Sequence, residues 1–278
     1  MIHLILTMHG LTTMHCNIKT DIRIANEAGY QALEIIADKM LRYLDTGFTA
    51  EELLPVFKSN GIIPVCINAL KDIESLDRKE YNKLLWECER LCIAAEILGC
   101  HVIQLVAFDG LFGRPWKEIR ELTAKNIAKL ADIAGEHKVK LQLEPIAFSP
   151  MNSLSKSLEV IEAADRENVG MVIDFWHLWA GGDTAASEVA KLDRSMIYGV
   201  HFCDGVKPKD GRWDEAALRG YLVGEGDINV EEWVAAVKAT GFDGVWSAEL
   251  YSPKHWEWDL MEIAVESKKR MLKYLSII

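Results

Sequence analysis

The sequence is poor in the features that would remove it from the ordinary class of large folded chains. It has seven prolines in 278 residues and no low-complexity tract, so neither a rigid spacer nor a disordered linker is expected. Its six cysteines (Cys16, Cys66, Cys88, Cys92, Cys100, Cys203) contain no CxxC pair. Several lie in apolar runs such as Pro64-Val65-Cys66-Ile67, which reads as buried free thiols and not as a disulfide framework or a zinc knuckle. No stretch reaches the length of a bilayer span. The apolar residues 2–8 have no basic segment before them and no cleavage-like site after them. A soluble, cytoplasmic protein with no membrane partner is expected. Runs of Lys or Arg are also absent, and the formal net charge is −11. Nucleic-acid binding draws its affinity from cations that neutralise phosphates, so no nucleic-acid partner is expected.

What remains is apolar and rhythmic. Half of the residues are apolar, and short β-type runs alternate with longer amphipathic ones. Eight strand candidates cover residues 3–8, 32–36, 62–68, 102–108, 139–145, 170–174, 196–202 and 244–250. Between them, residues 50–59, 78–98, 116–137, 155–165 and 230–240 carry apolar side chains at helical spacing. Glycine punctuates helix ends in Ala28-Gly29-Tyr30, Ser59-Asn60-Gly61, Leu98-Gly99-Cys100 and Thr240-Gly241-Phe242. Strands separated by helices pair in parallel with right-handed crossovers. An open doubly wound sheet satisfies the same pattern, but eight unbroken β–α units favour a closed (β/α)8 TIM barrel, an α/β fold with residues 1–278 as one domain. The longest irregular stretch, 203–228, follows the seventh strand and would be an active-site loop in such a barrel.

Polar residues end four consecutive strands: Glu144 in Lys140-Leu-Gln-Leu-Glu144, Asp174 in Gly170-Met-Val-Ile-Asp174, His201 in Ile197-Tyr-Gly-Val-His201 and Glu249 in Val245-Trp-Ser-Ala-Glu249. The carboxyl ends of parallel barrel strands share one rim, and counting back by two gives Gln142, Val172, Gly199 and Ser247 on the same inward faces. A single strand-end acid is usually a helix N-cap or a solvated loop residue. Four such residues from adjacent strands reverse that reading. Three converging carboxylates raise one another's pKa values unless a cation sits among them. Three oxygen ligands and an imidazole suit one divalent ion: Mn²⁺, Zn²⁺, Co²⁺ or Mg²⁺.

His177, three residues past Asp174, is expected to contact substrate, because the strand has by then turned into its loop. Gly224-Glu225-Gly226-Asp227-Ile228 reads as a tight turn introducing the next helix, with Asp227 or Asn229 as cap; no strand precedes it to support a phosphate cradle. Trp116, Trp176, Trp179, Trp213, Trp256 and Trp258 follow strands, where several near one rim could wall a pocket for a sugar-like ring.

Leu143-Glu144-Pro145, Val172-Ile173-Asp174-Phe175-Trp176-His177, Val200-His201-Phe202-Cys203-Asp204, the Gly224–Ile228 segment and Ser247-Ala248-Glu249-Leu250 resemble the xylose-isomerase-like superfamily of sugar isomerases and epimerases along nearly the whole chain. Ile67-Asn68-Ala69-Leu70, Asn168-Val169-Gly170-Met171 and Glu249-Leu250-Tyr251-Ser252-Pro253 are similar to the inosose isomerases of inositol catabolism within it. The resemblance implies a barrel with one divalent metal on Glu144, Asp174, His201 and Glu249. It adds His177 as a substrate contact, with Arg219, Asn68 and Trp176 beside it. Val223 stands where the family often has Pro before its Gly-x-Gly turn, and the spacing to Arg219 differs by a residue.

Isomerisation of a keto-cyclitol or ketose moves a proton between carbons beside a carbonyl. Its cost is the enediolate charge, which a divalent ion stabilises as a Lewis acid. Glu144 and Glu249 are expected to move the proton, with Asp174 and His201 mainly holding the ion. The expected partner is a small polyol or keto-sugar; a homo-oligomer is left open. Arg114, Lys207, Arg212 and Arg219 are the cations that could meet a phosphate. Metal-dependent β-elimination on a keto-cyclitol or 3-keto-glycoside is the alternative, since the same site can run a lyase or dehydratase reaction.

Overall fold

In the computed structural model, which describes residues 4–182 and 184–276, eight parallel strands close into a barrel in chain order. The first half runs β1 (Ile5–His9), α1 (Ile18–Glu27), β2 (Ala32–Ile36), α2 (Ala37–Asp45), α3 (Leu54–Asn60), β3 (Ile63–Leu70), α4 (Arg78–Leu98) and β4 (Val102–Val106). The second half runs α5 (Trp116–Glu136), β5 (Lys140–Glu144), α6 (Leu154–Ala164), β6 (Val169–Asp174), α7 (Phe175–Ala180), α8 (Ala186–Val189), β7 (Ile197–Phe202), α9 (Glu215–Leu218), α10 (Val230–Ala239), β8 (Val245–Ala248), α11 (Pro253–Trp256) and α12 (Leu260–Leu275). All eight expected strands are present. The first is displaced: it runs on to His9, and residue 3, its expected start, lies outside the described residues.

Local chemistry explains the boundaries. Asp77 caps α4 by accepting from the N–H groups of Lys79 and Glu80, and the helix stops at Gly99, whose φ of 70° suits a residue without Cβ. The helix expected over 50–59 is broken. Residues Ala50–Leu53 form a 3₁₀ turn, and α3 begins at Leu54 because Pro55, without an N–H, fits only a first helical turn. Asn229 caps α10 by accepting from Glu232 N–H, which decides between the two expected caps.

Strands β2 and β6 are buried at every position, as a parallel sheet covered on both faces requires. Helix-facing side chains such as Leu33, Ile35, Ile173, Val200 and Trp246 are at most 1 % exposed. The inward side chains differ in kind, and they bring the chemistry together.

Candidate metal centre and active site

The register sets the rim. Asp174 of β6 lies opposite His201 of β7, His201 opposite Ser247 of β8, and Val106 of β4 opposite Glu144 of β5. Glu249 is one residue beyond β8, yet its N–H still donates to Phe202 O at 3.3 Å, which keeps it on the same rim. Glu144, Asp174, His201 and Glu249 are all buried and each offers a ligand atom within 4.8 Å of the others. His201 Nδ1 faces Glu144 Oε1 at 2.8 Å, Glu249 Oε2 at 3.2 Å and Asp174 Oδ2 at 3.6 Å. Asp174 does both things a strand-end acid can do. Its Oδ1 accepts from His177 N–H at 2.6 Å and caps α7, while Oδ2 is left for the cluster.

Beneath the rim lies a ladder of amides. Gln142 Nε2 donates to Gln104 Oε1 at 2.8 Å, and Gln104 Nε2 donates to Glu144 Oε2 at 2.9 Å. On the other side, Arg219, 3 % exposed, reaches in from the loop after β7. Its Nη2 donates to Glu249 Oε2 at 2.5 Å and to Asp174 Oδ2 at 3.2 Å, and its Nη1 donates to Glu215 Oε1 at 2.9 Å.

The surroundings drive the carboxylates apart in pKa. Burial, offset in part by His201, pushes Glu144 up to about 8. Burial opposes the charge on Glu249 as well, but Arg219, His201 and His9 overcome it and hold the carboxyl well below its usual range. His201 is the converse: burial would lower it, and Glu249 and Glu34 override that and raise it well above its ordinary value. Burial lowers His177 to about 4, so that ring is neutral at working pH.

A cavity of about 260 Å³ opens onto this floor, lined by Leu11, Asn68, Phe108, Glu144, Glu249 and Tyr251 among others. His177 and Arg219 also line it. His177 Nδ1 accepts from Ala147 N–H at 3.1 Å, which puts the ring proton on Nε2, 2.8 Å from Arg219 Nη1. Asn68 Nδ2 lies 3.1 Å from His9 Nε2 and 3.2 Å from Glu34 Oε1. Trp176 corrects the expectation of a substrate contact: it is 0 % exposed and stands behind His177 and Arg219. Helix α7 starts immediately after Asp174, and that turn sends the indole inward, where Nε1 donates to Val206 O at 3.2 Å. Trp213 packs on Phe148 at 6.0 Å between ring centres, above the rim. Arg114, Lys207 and Arg212 are not among the cavity's lining residues.

The strand-end reading missed two buried rim residues, His9 and Glu34. His201 Nε2 is 3.2 Å from Glu34 Oε1, and His9 Nε2 is 3.7 Å from the same oxygen. A signal existed for Glu34: it is the one charged residue of an otherwise apolar strand. His9 lies one residue past the expected end of the first strand.

The donor set fits a divalent ion. Three carboxylates and an imidazole converge with atoms near enough that small side-chain adjustments let one ion reach all four at roughly 2.0–2.2 Å. All six cysteines are free, and among the described residues none joins the cluster.

Comparison with known proteins agrees with this geometry. The family model for the xylose isomerase-like TIM barrel matches residues 22–274. An inosose isomerase of Halalkalibacterium halodurans is 27 % identical over 269 residues, spanning 95 % of this chain and 94 % of its own. The inosose isomerase of Bacillus subtilis is 26 % identical over 269 residues, spanning 95 % of each. The crystal structure of the IolI protein with a bound zinc atom superposes with a TM-score of 0.88 at 25 % identity, covering 98 % of both chains. The chain therefore belongs to the xylose isomerase-like TIM barrel family, and it is an enzyme of the sugar isomerase and epimerase kind.

Proposed function

We propose that the protein is a divalent-metal-dependent isomerase or epimerase of an uncharged keto-cyclitol or ketose, of the inosose isomerase type. The observation that carries this reading is the convergence of Glu144, Asp174, His201 and Glu249 in one buried cluster, two of whose members, Glu144 and Glu249, line an open cavity. These four residues hold the ion, with Mn²⁺, Zn²⁺, Co²⁺ and Mg²⁺ as the candidates. When bound, it supplies Lewis-acid stabilisation of charge developing on the substrate's carbonyl oxygen.

The remaining chemistry belongs to the side chains. Glu144 and Glu249 both line the cavity and move the proton: one carboxylate takes it from the carbon next to the carbonyl, and the carboxyl groups return one to the neighbouring carbon. His177 Nε2–H and Arg219 Nη1–H face each other at 2.8 Å as two donors. A substrate oxygen beside the pair, within hydrogen-bond reach of each, would accept from both. Asn68 offers a further amide on the opposite wall. The cavity's two cations, Lys71 and Arg219, are already paired with Asp38 and with Glu215 and Glu249. That pairing supports an unphosphorylated substrate.

Incubation with a panel of inososes, ketoses and 3-keto-glycosides, with and without a chelator, tests the proposal. It predicts metal-dependent conversion to an isomeric product that carries deuterium when the reaction runs in D₂O. An unsaturated product would replace isomerisation by β-elimination. Turnover that withstands complete metal removal would refute the proposal.

A further inference from the structure

Glu34 has no part in the reaction just described, yet it is 1 % exposed and sits beside the cluster. In β2 it lies opposite His9 of β1 and Cys66 of β3. Its Oε1 is 3.2 Å from His201 Nε2, the ring nitrogen that points away from the cluster, while Nδ1 of the same ring faces Glu144, Asp174 and Glu249. Asn68 Nδ2 donates to the same Oε1 at 3.2 Å.

His9, Glu34 and His201 are close enough to suggest a second ion beside the first, but the protons argue against it. His9 Nδ1 accepts from Leu11 N–H at 3.1 Å, so its proton is on Nε2 and points toward Glu34 and Glu249. A second ion on His201 Nε2 would strip both nitrogens of one ring of their protons. Glu34 instead has N–H groups around it.

We propose that Glu34 is a positioning residue: it accepts the Nε2–H of His201, so that the Nδ1 lone pair is aimed at the space between Glu144, Asp174 and Glu249. A carboxylate behind a ligating imidazole fixes its tautomer and orientation and makes the free nitrogen a stronger donor. The proposal rests on the metal-site reading of the cluster.

Competitive titration of Co²⁺ against a chelating dye tests it on the metal-free protein. Glu34→Ala should weaken binding about 10–100-fold. Glu34→Gln, which keeps an acceptor oxygen without the charge, should fall between it and the parent. Equal affinity in all three proteins would overturn the role of Glu34 and leave the metal site standing, whereas absence of a specific site in the parent would overturn both. The ¹⁵N spectrum of the histidines in the Zn²⁺-loaded parent decides the matter without any variant. A His201 proton on Nε2 supports the proposal, and one on Nδ1 refutes it.

Discussion

Glu144, Asp174, His201 and Glu249 were legible as residues because each interrupts an apolar run at the place where a strand must end. Glu34 was not, because it sits two residues before the end of β2, at a position that usually holds a core side chain. Trp176 shows the limit from the other side: its neighbourhood could be read from the sequence but its direction could not, since that depends on α7 starting without a connecting loop. Two predictions belong at this scale. Glu249→Gln keeps an oxygen for the ion but cannot take a proton, so it should retain metal while kcat falls about 10²–10⁴-fold. His177→Ala removes one neutral hydrogen bond to substrate and should lower kcat/KM roughly tenfold with metal content unchanged. Loss of metal in that variant would make His177 a ligand.

At the scale of elements, the loop from β7 to α10 carries Arg219 and needs an anchor. Asp204, fully buried, supplies it. Its carboxylate accepts from Gly205, Gly224, Gly226 and Ile228 N–H groups at 2.7–3.3 Å. The glycine-rich turn is thus folded around the protein's own carboxylate. A Cβ on Gly226 would stand 2.3 Å from Asp204 Oδ1, which explains the glycine there. The tight turn was readable, but its partner, some twenty residues away, was not. Asp204→Asn swaps an acceptor oxygen for a donor against these N–H groups and should cost about 1–3 kcal/mol, measured by urea unfolding. An unchanged midpoint would show that the loop holds itself.

A second element-scale prediction concerns α4 and the end of α5. His137 contacts Glu96 at 2.7 Å and Glu89 at 3.4 Å, and the hydrogen bond to Glu96 raises its pKa above 6.5. Because the folded value is the higher one, the contribution is fully present below the unfolded pKa and is lost as pH rises through the folded one. The contact is near the surface, so its size is under about 1 kcal/mol. The difference in melting temperature between the parent and His137→Gln should therefore be present at about pH 6 and vanish by about pH 9. A difference that stays constant across that range would assign it to packing.

For the molecule as a whole, eight β–α units and their order could be read from periodicity, because a parallel sheet covered on both faces leaves a short apolar run for each strand. Closure made the site: only a barrel brings β1 beside β8, and with it His9 to within 3.6 Å of Glu249. That rim should hold one divalent ion. In elemental analysis of protein purified without chelator, parent beside Asp174→Asn, close to one ion per chain is expected in the parent and a marked loss in the variant; equal metal content in the two, or none in a folded parent supplied with Mn²⁺ and Zn²⁺, would show that the four residues do not bind an ion.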